Sequence, residues 1–425
     1  MMDMAEPLKM EIEQGCKGGD PVDIEARGKN KGTVFILVGH YLPGFRGGGP
    51  TRSIANLVSS LGQEFSFKVI TLDRDLGDTM PYSGVAVNRW IRTGNADVMY
   101  LSPGWRGLLR MIVLLRSLDL GTVLYLNSFF NKRFSILAIL LRRVCLIHPR
   151  RIVLAPRGEF SPGALQIKST RKAAYITLAR WLGFYRNVTW HASSHLEMAD
   201  VQDLFGRQAT VGIAVDLPQP RTDQEVSAIS GRFSARTHGV KVAGRLRVVF
   251  VSRISPKKNL LAALRVLKGV SGDVAFDIYG PAEDAEYWNE CKDVIETLPA
   301  NVRVKYLGEV EHDKISEVFA KYDLLLLPTL GENYGHVICE ALAAACPVLI
   351  SDRTPWLGLQ GIGVGWDVPL EDMQRFTAIL QECVDAEGES YNRLRMRAKE
   401  YAEGLAANPS LVDANRRLFK AMTND

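Results

Sequence analysis

The chain has 425 residues, 47% hydrophobic and 23% charged, with a formal net charge of +5. That length favours two domains over one, and the balance is that of a globular protein rather than a disordered or fibrous one. The six cysteines (Cys16, Cys145, Cys291, Cys339, Cys346 and Cys383) form no CxxC pair, which argues against zinc or dithiol chemistry and for a reducing compartment.

Residues 1–31 are polar and aperiodic and predict a disordered tail. They hold no apolar core of a signal peptide, and no later run reaches the ~18 apolar residues of a spanning helix. The sequence therefore predicts a cytoplasmic protein. Residues 33–38 form the first predicted strand, followed by Gly47-Gly48-Gly49 and a helix over 51–61. Further strands are predicted at 68–72, 98–101, 122–126, 152–155 and 188–192, with helices at 108–118 and 134–147. Ser194 and Glu197 have the spacing of a capping box. Strands alternating with helices imply a parallel sheet covered on both faces, so 32–216 reads as one Rossmann-like domain. Residues 217–245 are polar and predict a linker, with a short helix at 224–236.

A second alternating set occupies 246–400. Its predicted strands are 248–251, 275–279, 302–306, 324–327 and 348–350, and its helices 260–267, 285–298, 315–319 and 337–345. Residues 361–365 read as a turn, and 373–386 and 391–404 as helices. Residues 401–425 are expected to end the chain as a helix. The fold class is α/β, with two Rossmann-like domains facing a central cleft.

The most informative segment is Gly331-Glu332-Asn333-Tyr334-Gly335-His336, between an apolar strand and an alanine-rich helix. Free amides at a helix start attract anions. Glu332 and Glu340 lie ~12 Å apart along an ideal helix axis. Two acids flanking an anion site suit hydroxyls on either side of a diphosphate, as in a nucleoside diphosphate sugar. Arg253 and Lys258 follow a strand and precede a helix, where two fixed cations would stabilise a leaving diphosphate without a metal. Lys257 reads as a solvent-exposed turn residue. Gly48 and Gly49 let backbone approach a ligand; the lysine and hydroxyl of a Walker loop are missing. Ligands of such sheets lie beyond the carboxyl ends of the strands, so all three loops can share one cleft. Arg157, in Arg157-Gly158-Glu159, has the fork geometry to bind an acceptor phosphate. Asp73 and Asp75 read as loop or acceptor-side polar structure rather than metal ligands, and His191 and His195 as structural.

The Glu332-to-Glu340 segment resembles the donor motif of retaining GT-B glycosyltransferases, the family 4 group: a glutamate, seven residues, a second glutamate. Gly47-Gly48-Gly49-Pro50 with Ser53, Ile54 and Leu57 is similar to that family's N-terminal glycine loop and helix. Phe250 to Leu260 resembles its basic diphosphate loop, and Tyr279-Gly280-Pro281 and Tyr306-Leu307-Gly308 its later strand ends. The resemblance implies a metal-independent hexosyltransferase acting with retention and needing no cofactor beyond its nucleotide-sugar donor. It implies catalytic roles for Glu332, Arg253 and Lys258. Donor binding falls to Glu340, Tyr334, Gly335, His336, Gly48 and Gly49, and the acceptor side to Arg157 and Glu159. Many members carry a histidine near Arg157. The last helix is expected to cross back to the first domain.

Between Lys132 and Arg186 stand twelve basic residues and one acid, Glu159, interleaved with Trp181, Phe184 and Tyr185. Such a block suits an anionic membrane surface or a phosphate-bearing acceptor, and equally a solvated helix face. No nucleic-acid motif accompanies it. The expectation is a peripheral enzyme at the inner membrane face, using a lipid-linked or saccharide acceptor in surface polysaccharide synthesis. An epimerase or phosphorylase of the same fold, or a non-catalytic nucleotide-sugar-binding scaffold, are the alternatives.

Overall fold

The structure, a computed structural model, describes residues 32–119, 121–149, 151–166, 169–219 and 241–423. The expected tail at 1–31, the expected helix at 224–236 and most of the expected linker lie outside the described residues.

Two sheets organise the described chain. The first contains β1 (Thr33–Leu37), β2 (Ser66–Leu72), β3 (Trp90–Thr93), β4 (Ala96–Leu101), β5 (Val123–Asn127), β6 (Arg151–Ala155), β7 (Val188–Ala192) and β8 (Val211–Ile213). Their spatial order is β3-β4-β2-β1-β5-β6-β7-β8, and every pairing is parallel except β3 with β4. The second contains β9 (Arg245–Val251), β10 (Asp273–Tyr279), β11 (Val302–Tyr306), β12 (Leu324–Leu327), β13 (Val348–Ser351) and β14 (Gly365–Val368). It is wholly parallel in the order β11-β10-β9-β12-β13-β14. Fully buried runs such as Leu324–Leu327 occupy its centre, as expected where helices cover both faces.

The sequence reading departs from the structure at sheet edges and one helix. β3 was not expected. It pairs with β4 through the two-residue turn Gly94-Asn95, with Gly94 at a φ of 57°, the conformation a tight hairpin requires. Residues 361–365, expected as a turn, instead link a short helix, Leu359–Ile362, to the edge strand β14. The helix expected over 134–147 begins as a π-helical turn, Lys132–Ile136, continues as Leu137–Arg143, and stops before Cys145, whose φ is 56°. The side chain of Asn131 caps that turn by accepting the Arg133 and Phe134 amides.

The chain ends in two helices, Gly388–Ala406 and Pro409–Thr423. The second leaves the sheet that precedes it and packs on the first. Its Phe419 is fully buried against Phe65, Tyr125 and Phe67, with ring centroids 5.6, 5.9 and 6.2 Å away. Asn415 donates to the Val215 carbonyl, and Arg416 pairs with Glu64. We expect Phe419→Ala to cost about 3–5 kcal/mol, the usual penalty for emptying a buried aromatic site. Urea titration monitored by tryptophan fluorescence measures it; a loss below ~1 kcal/mol would show that the helix contributes little to the first core.

Candidate active site

Among the parallel strands of each sheet the chain order reverses once, which opens a crevice beyond the strand ends. In the first sheet the reversal lies between β1 and β5; in the second, between β9 and β12. The loops that leave β1, β9 and β12, with residues after β6, β10 and β11, line a cleft of about 260 Å³. Its walls include Gly48, Gly49 and Ser53 from the first half and Arg253, Lys258 and Glu332 from the second.

On the second wall, Lys258 Nζ donates to Glu332 Oε1 at 2.5 Å, both side chains being largely covered. Arg253 pairs with Glu283 at 3.0 Å, at a more exposed position. Asn259, at a φ of 57°, turns the chain into the Leu260–Leu267 helix and donates to the Pro328 carbonyl, tying the β9 loop to the β12 loop. The helix His336–Ala343 starts at the cleft from Gly335, whose φ is 78°. A Cβ there would stand 2.9 Å from Ile338 Cδ1, so a side chain is excluded on two counts. The His336 and Val337 amides open the helix and have no intrahelical acceptor. Tyr334 contributes backbone rather than its phenol. The ring is buried against Trp356, and the Tyr334 carbonyl accepts Trp356 Nε1 at 2.5 Å.

On the first wall, Gly48 has a φ of 67°, and a Cβ there would meet nothing, because the position faces open cleft. Below it lies a buried polar network. The Arg157 guanidinium donates to Asp216, to Asn127 at 2.7 Å and to the Tyr125 hydroxyl at 2.8 Å. Ser53 donates to Asp216 at 2.8 Å, so its single proton is spent and His336 Nε2, 3.0 Å away, must be the donor to Ser53 Oγ. Tyr125 likewise donates to His191 Nδ1, leaving His191 Nε2 to donate to the Ala214 carbonyl. Burial opposes the Asp216 charge, yet Arg157, His336 and His191 hold its carboxyl below the usual value. Burial, reinforced by Arg157, pushes both His336 and His191 down to about 4, so both are neutral at pH 7.

The two walls touch at several points. Arg46 Nε reaches Glu309 at 2.8 Å, Arg52 pairs with Glu340, and Ser193 Oγ approaches the Asn333 carbonyl at 3.4 Å. Among the described residues, Oε2 of Glu340 is buried without a partner.

Gly48, Gly49, Arg157, Arg253, Lys258, Glu332, Tyr334, Gly335 and His336 all line this cleft. Three expectations need correction. Glu159 does not line it. Its carboxylate is buried and accepts from Ser128 Oγ and the Phe129 and Phe130 amides, which makes it a loop anchor. Arg157 reaches the cleft floor, but each of its three nitrogens already donates to a buried partner, so it is fixed in the Asp216 network rather than offering an open fork to an acceptor phosphate. Lys257, read as exposed, lines the cleft, and burial depresses its ammonium pKa. The capping box is half formed. Ser194 accepts the Glu197 amide, while the Glu197 carboxylate turns to the Gly158 and Ser193 amides. Asp75 accepts the Phe45, Arg46 and Leu76 amides and so fixes the glycine loop. Among the described residues, no group of three or more His, Cys, Asp and Glu is placed to hold a metal. Asp216 and Arg52 were not singled out beforehand; neither carries a local sequence signal.

Residues 234–402 match the family described as Glycosyl transferases group 1. Over 109 residues the chain is 29% identical to the phosphatidylinositol N-acetylglucosaminyltransferase GPI3 subunit of Saccharomyces cerevisiae, covering 25% of this chain and 23% of that one. Over 191 residues the chain is 25% identical to the phosphatidyl-myo-inositol mannosyltransferase of Mycobacterium leprae, covering 43% of this chain and 47% of that one. The match thus spans less than half of either curated relative. The Anabaena protein Alr3699/HepE, solved in complex with UDP and glucose, superposes with a TM-score of 0.65 at 17% identity, over 92% of this chain and 99% of that one. The fold is GT-B.

The neutral histidines make stability depend on pH. Their folded pKa of about 4 lies below the ordinary 6.5, so the unfolded chain binds more protons between the two. Their contribution is complete above pH ~6.5 and is lost as pH falls toward 4, at about 1.4 kcal/mol per pH unit per proton. We expect His336→Gln to flatten the fall in unfolding midpoint across that window. Parallel curves for variant and wild type would show that this imidazole is not the group responding.

Proposed function

We propose that the protein is a retaining glycosyltransferase that moves a hexosyl group from a nucleoside diphosphate sugar to a hydroxyl of a lipid-linked or saccharide acceptor. The carrying observation is the convergence of Arg253, the Lys258–Glu332 pair, the His336–Ala343 helix start and the Gly48-Gly49 backbone on one cleft between two sheets. The likeness to a structure holding UDP and glucose, and to relatives named for sugar transfer to phosphatidylinositol lipids, supports this reading.

In this proposal the donor diphosphate lies against Arg253, Lys258 and the free helix amides, which stabilise the charge that grows as it leaves. Glu332 contacts the transferred sugar, and its pairing with Lys258 holds both groups in place before donor arrives. The bond from the anomeric carbon to the phosphate oxygen breaks. The acceptor oxygen bonds to that carbon on the same face, and the departing phosphate takes the acceptor proton. Glu340 receives the ribose hydroxyls once Arg52 releases it. The cations do the work of a Lewis acid, and turnover is expected to persist in EDTA.

Isothermal titration with UDP, GDP, ADP and their common sugars tests the donor site. Glu340→Ala is expected to weaken the preferred nucleotide about tenfold, the loss of a charge-assisted hydrogen bond. Glu332→Ala is expected to retain nucleotide and lose at least ~100-fold in turnover. Failure of the wild type to bind any nucleotide would overturn the proposal.

We also propose that the enzyme works peripherally on an anionic membrane at the inner face. The helices Trp105–Arg116, Leu137–Arg143 and Ser169–Trp181 pack on the same face of the first sheet through Met111, Ile139 and Ile176. Beyond that contact they expose Trp105, Val113, Val144 and Trp181, at 66, 59, 61 and 80%, among Arg110, Arg143 and Arg180. Apolar groups set among arginines suit a headgroup layer. Among the described residues no helix is long and apolar enough to cross a membrane. Flotation with phosphatidylglycerol vesicles is expected to recruit the wild type but not a Trp105→Glu/Trp181→Glu variant. Equal recruitment by neutral vesicles would remove the electrostatic part of this reading.

A further inference from the structure

Lys257 is the cation that the donor reading leaves without a task. Its neighbours in the loop are matched: Arg253 holds Glu283, and Lys258 holds Glu332. Lys257 has no carboxylate partner among the described residues, although it lines the cleft beside both. Its backbone is fixed. The Lys257 carbonyl accepts the Leu330 amide at 2.9 Å and Thr329 Oγ1 at 3.1 Å, so the residue is pinned to the loop that carries Glu332.

That pinning places Lys257 where the two halves meet. A Cβ on Gly163, in the helix Pro162–Gln166 of the first half, would lie 3.2 Å from the Leu330 carbonyl. One residue along, the Ala164 carbonyl accepts Lys172 Nζ at 2.6 Å. Two lysines therefore flank one contact between the halves, Lys257 from the donor side and Lys172 from the other. Burial first, then Lys258, depress the Lys257 ammonium; Glu332 opposes them, and Arg253 and Lys172 add to the depression, so cations outnumber acids around it. A half-buried ammonium among cations is unfavourable until an anion arrives.

We propose that Lys257 forms a second anion site in the cleft, apart from the donor diphosphate position, and that it binds a phosphate or diphosphate group carried by the acceptor. This rests on the glycosyltransferase reading. Glu332 lies beside Lys257, so an acceptor phosphate held there would stand next to the transferred sugar and orient the attacking hydroxyl. Arg157 is tied down elsewhere, since each of its nitrogens already donates to Asp216, Asn127 or Tyr125, whereas among the described residues the Lys257 ammonium has no such anchor.

The test uses the full chain saturated with whichever nucleotide diphosphate it binds, titrated with inorganic pyrophosphate. Lys257→Met keeps the apolar stem and removes the charge; Lys257→Arg keeps the charge. The expected result is saturable pyrophosphate binding to the nucleotide-loaded wild type. Lys257→Met should weaken it about tenfold or more, Lys257→Arg should largely retain it, and nucleotide affinity should stay within about twofold. Titration with glucose 6-phosphate and with farnesyl diphosphate then separates a soluble from a lipid-borne source, and preference for either supports the site. Absence of pyrophosphate binding in the loaded wild type overturns the proposal. So does a Lys257→Met variant that loses nucleotide as severely as Lys258→Met, since Lys257 would then be a donor ligand. If no nucleotide binds, the glycosyltransferase reading fails on its own. The pyrophosphate titration of the free chain, with Lys258→Met as control, still decides whether Lys257 holds an anion.

Discussion

The ion pair between Arg157 and Asp216 is the interaction on which the cleft depends. Both side chains are almost wholly buried, so their attraction must offset the loss of water around two charges. Satisfied neighbours make this tolerable. Asn127 and Tyr125 complete the guanidinium, and Ser53 completes the carboxylate. Those neighbours in turn hold the glycine loop. Asn127 donates to the Pro50 carbonyl at 3.1 Å, and Ser53 lies 3.0 Å from the Gly49 carbonyl. The Ser53 hydroxyl also receives His336, so the floor of one half sets the helix start of the other. Removing either charge would leave its partner buried and uncompensated, at a cost of about 3–5 kcal/mol before any effect on a ligand.

The two walls divide the electrostatic work. On the first wall Arg46, Arg52 and Arg157 are each paired with a carboxylate. The second wall adds Arg253, Lys257 and Lys258, and acids already stand beside Arg253 and Lys258. A site arranged this way has little reorganisation left to do when negative charge appears in it, which is the condition under which fixed charges are most effective. The cross-cleft contacts through Arg46, Arg52 and His336 hold the two walls in one geometry.

Much of this was legible in the sequence because its signals are local. β7, β11 and β12 agree with their apolar runs residue for residue, and the loops after β1, β9 and β12 were placed by the strands that precede them. What escaped depends on distance along the chain. The partners of Arg157 lie 30, 32 and 59 residues away, so nothing near Arg157 announces that its guanidinium is occupied. Glu159 was misplaced for the same reason, since its acceptor role is consumed by amides about thirty residues earlier. Lys257 looked exposed because a turn between a strand and a helix usually is; contact with the β12 loop, over seventy positions later, covers it. β3 escaped for a simpler reason, an unread glycine-asparagine turn in front of β4.

The crossing of the Pro409–Thr423 helix has a consequence for how the chain is made. Its Phe419 fills a gap between β2 and β5, strands that leave the ribosome some three hundred residues earlier. Domains emerging from synthesis generally fold in turn, the first completing before the next appears. Here the core of the first sheet includes a side chain made only after the second sheet, so that core gains its full packing after the strands of both sheets exist. Order of synthesis and order of completion are reversed for this half.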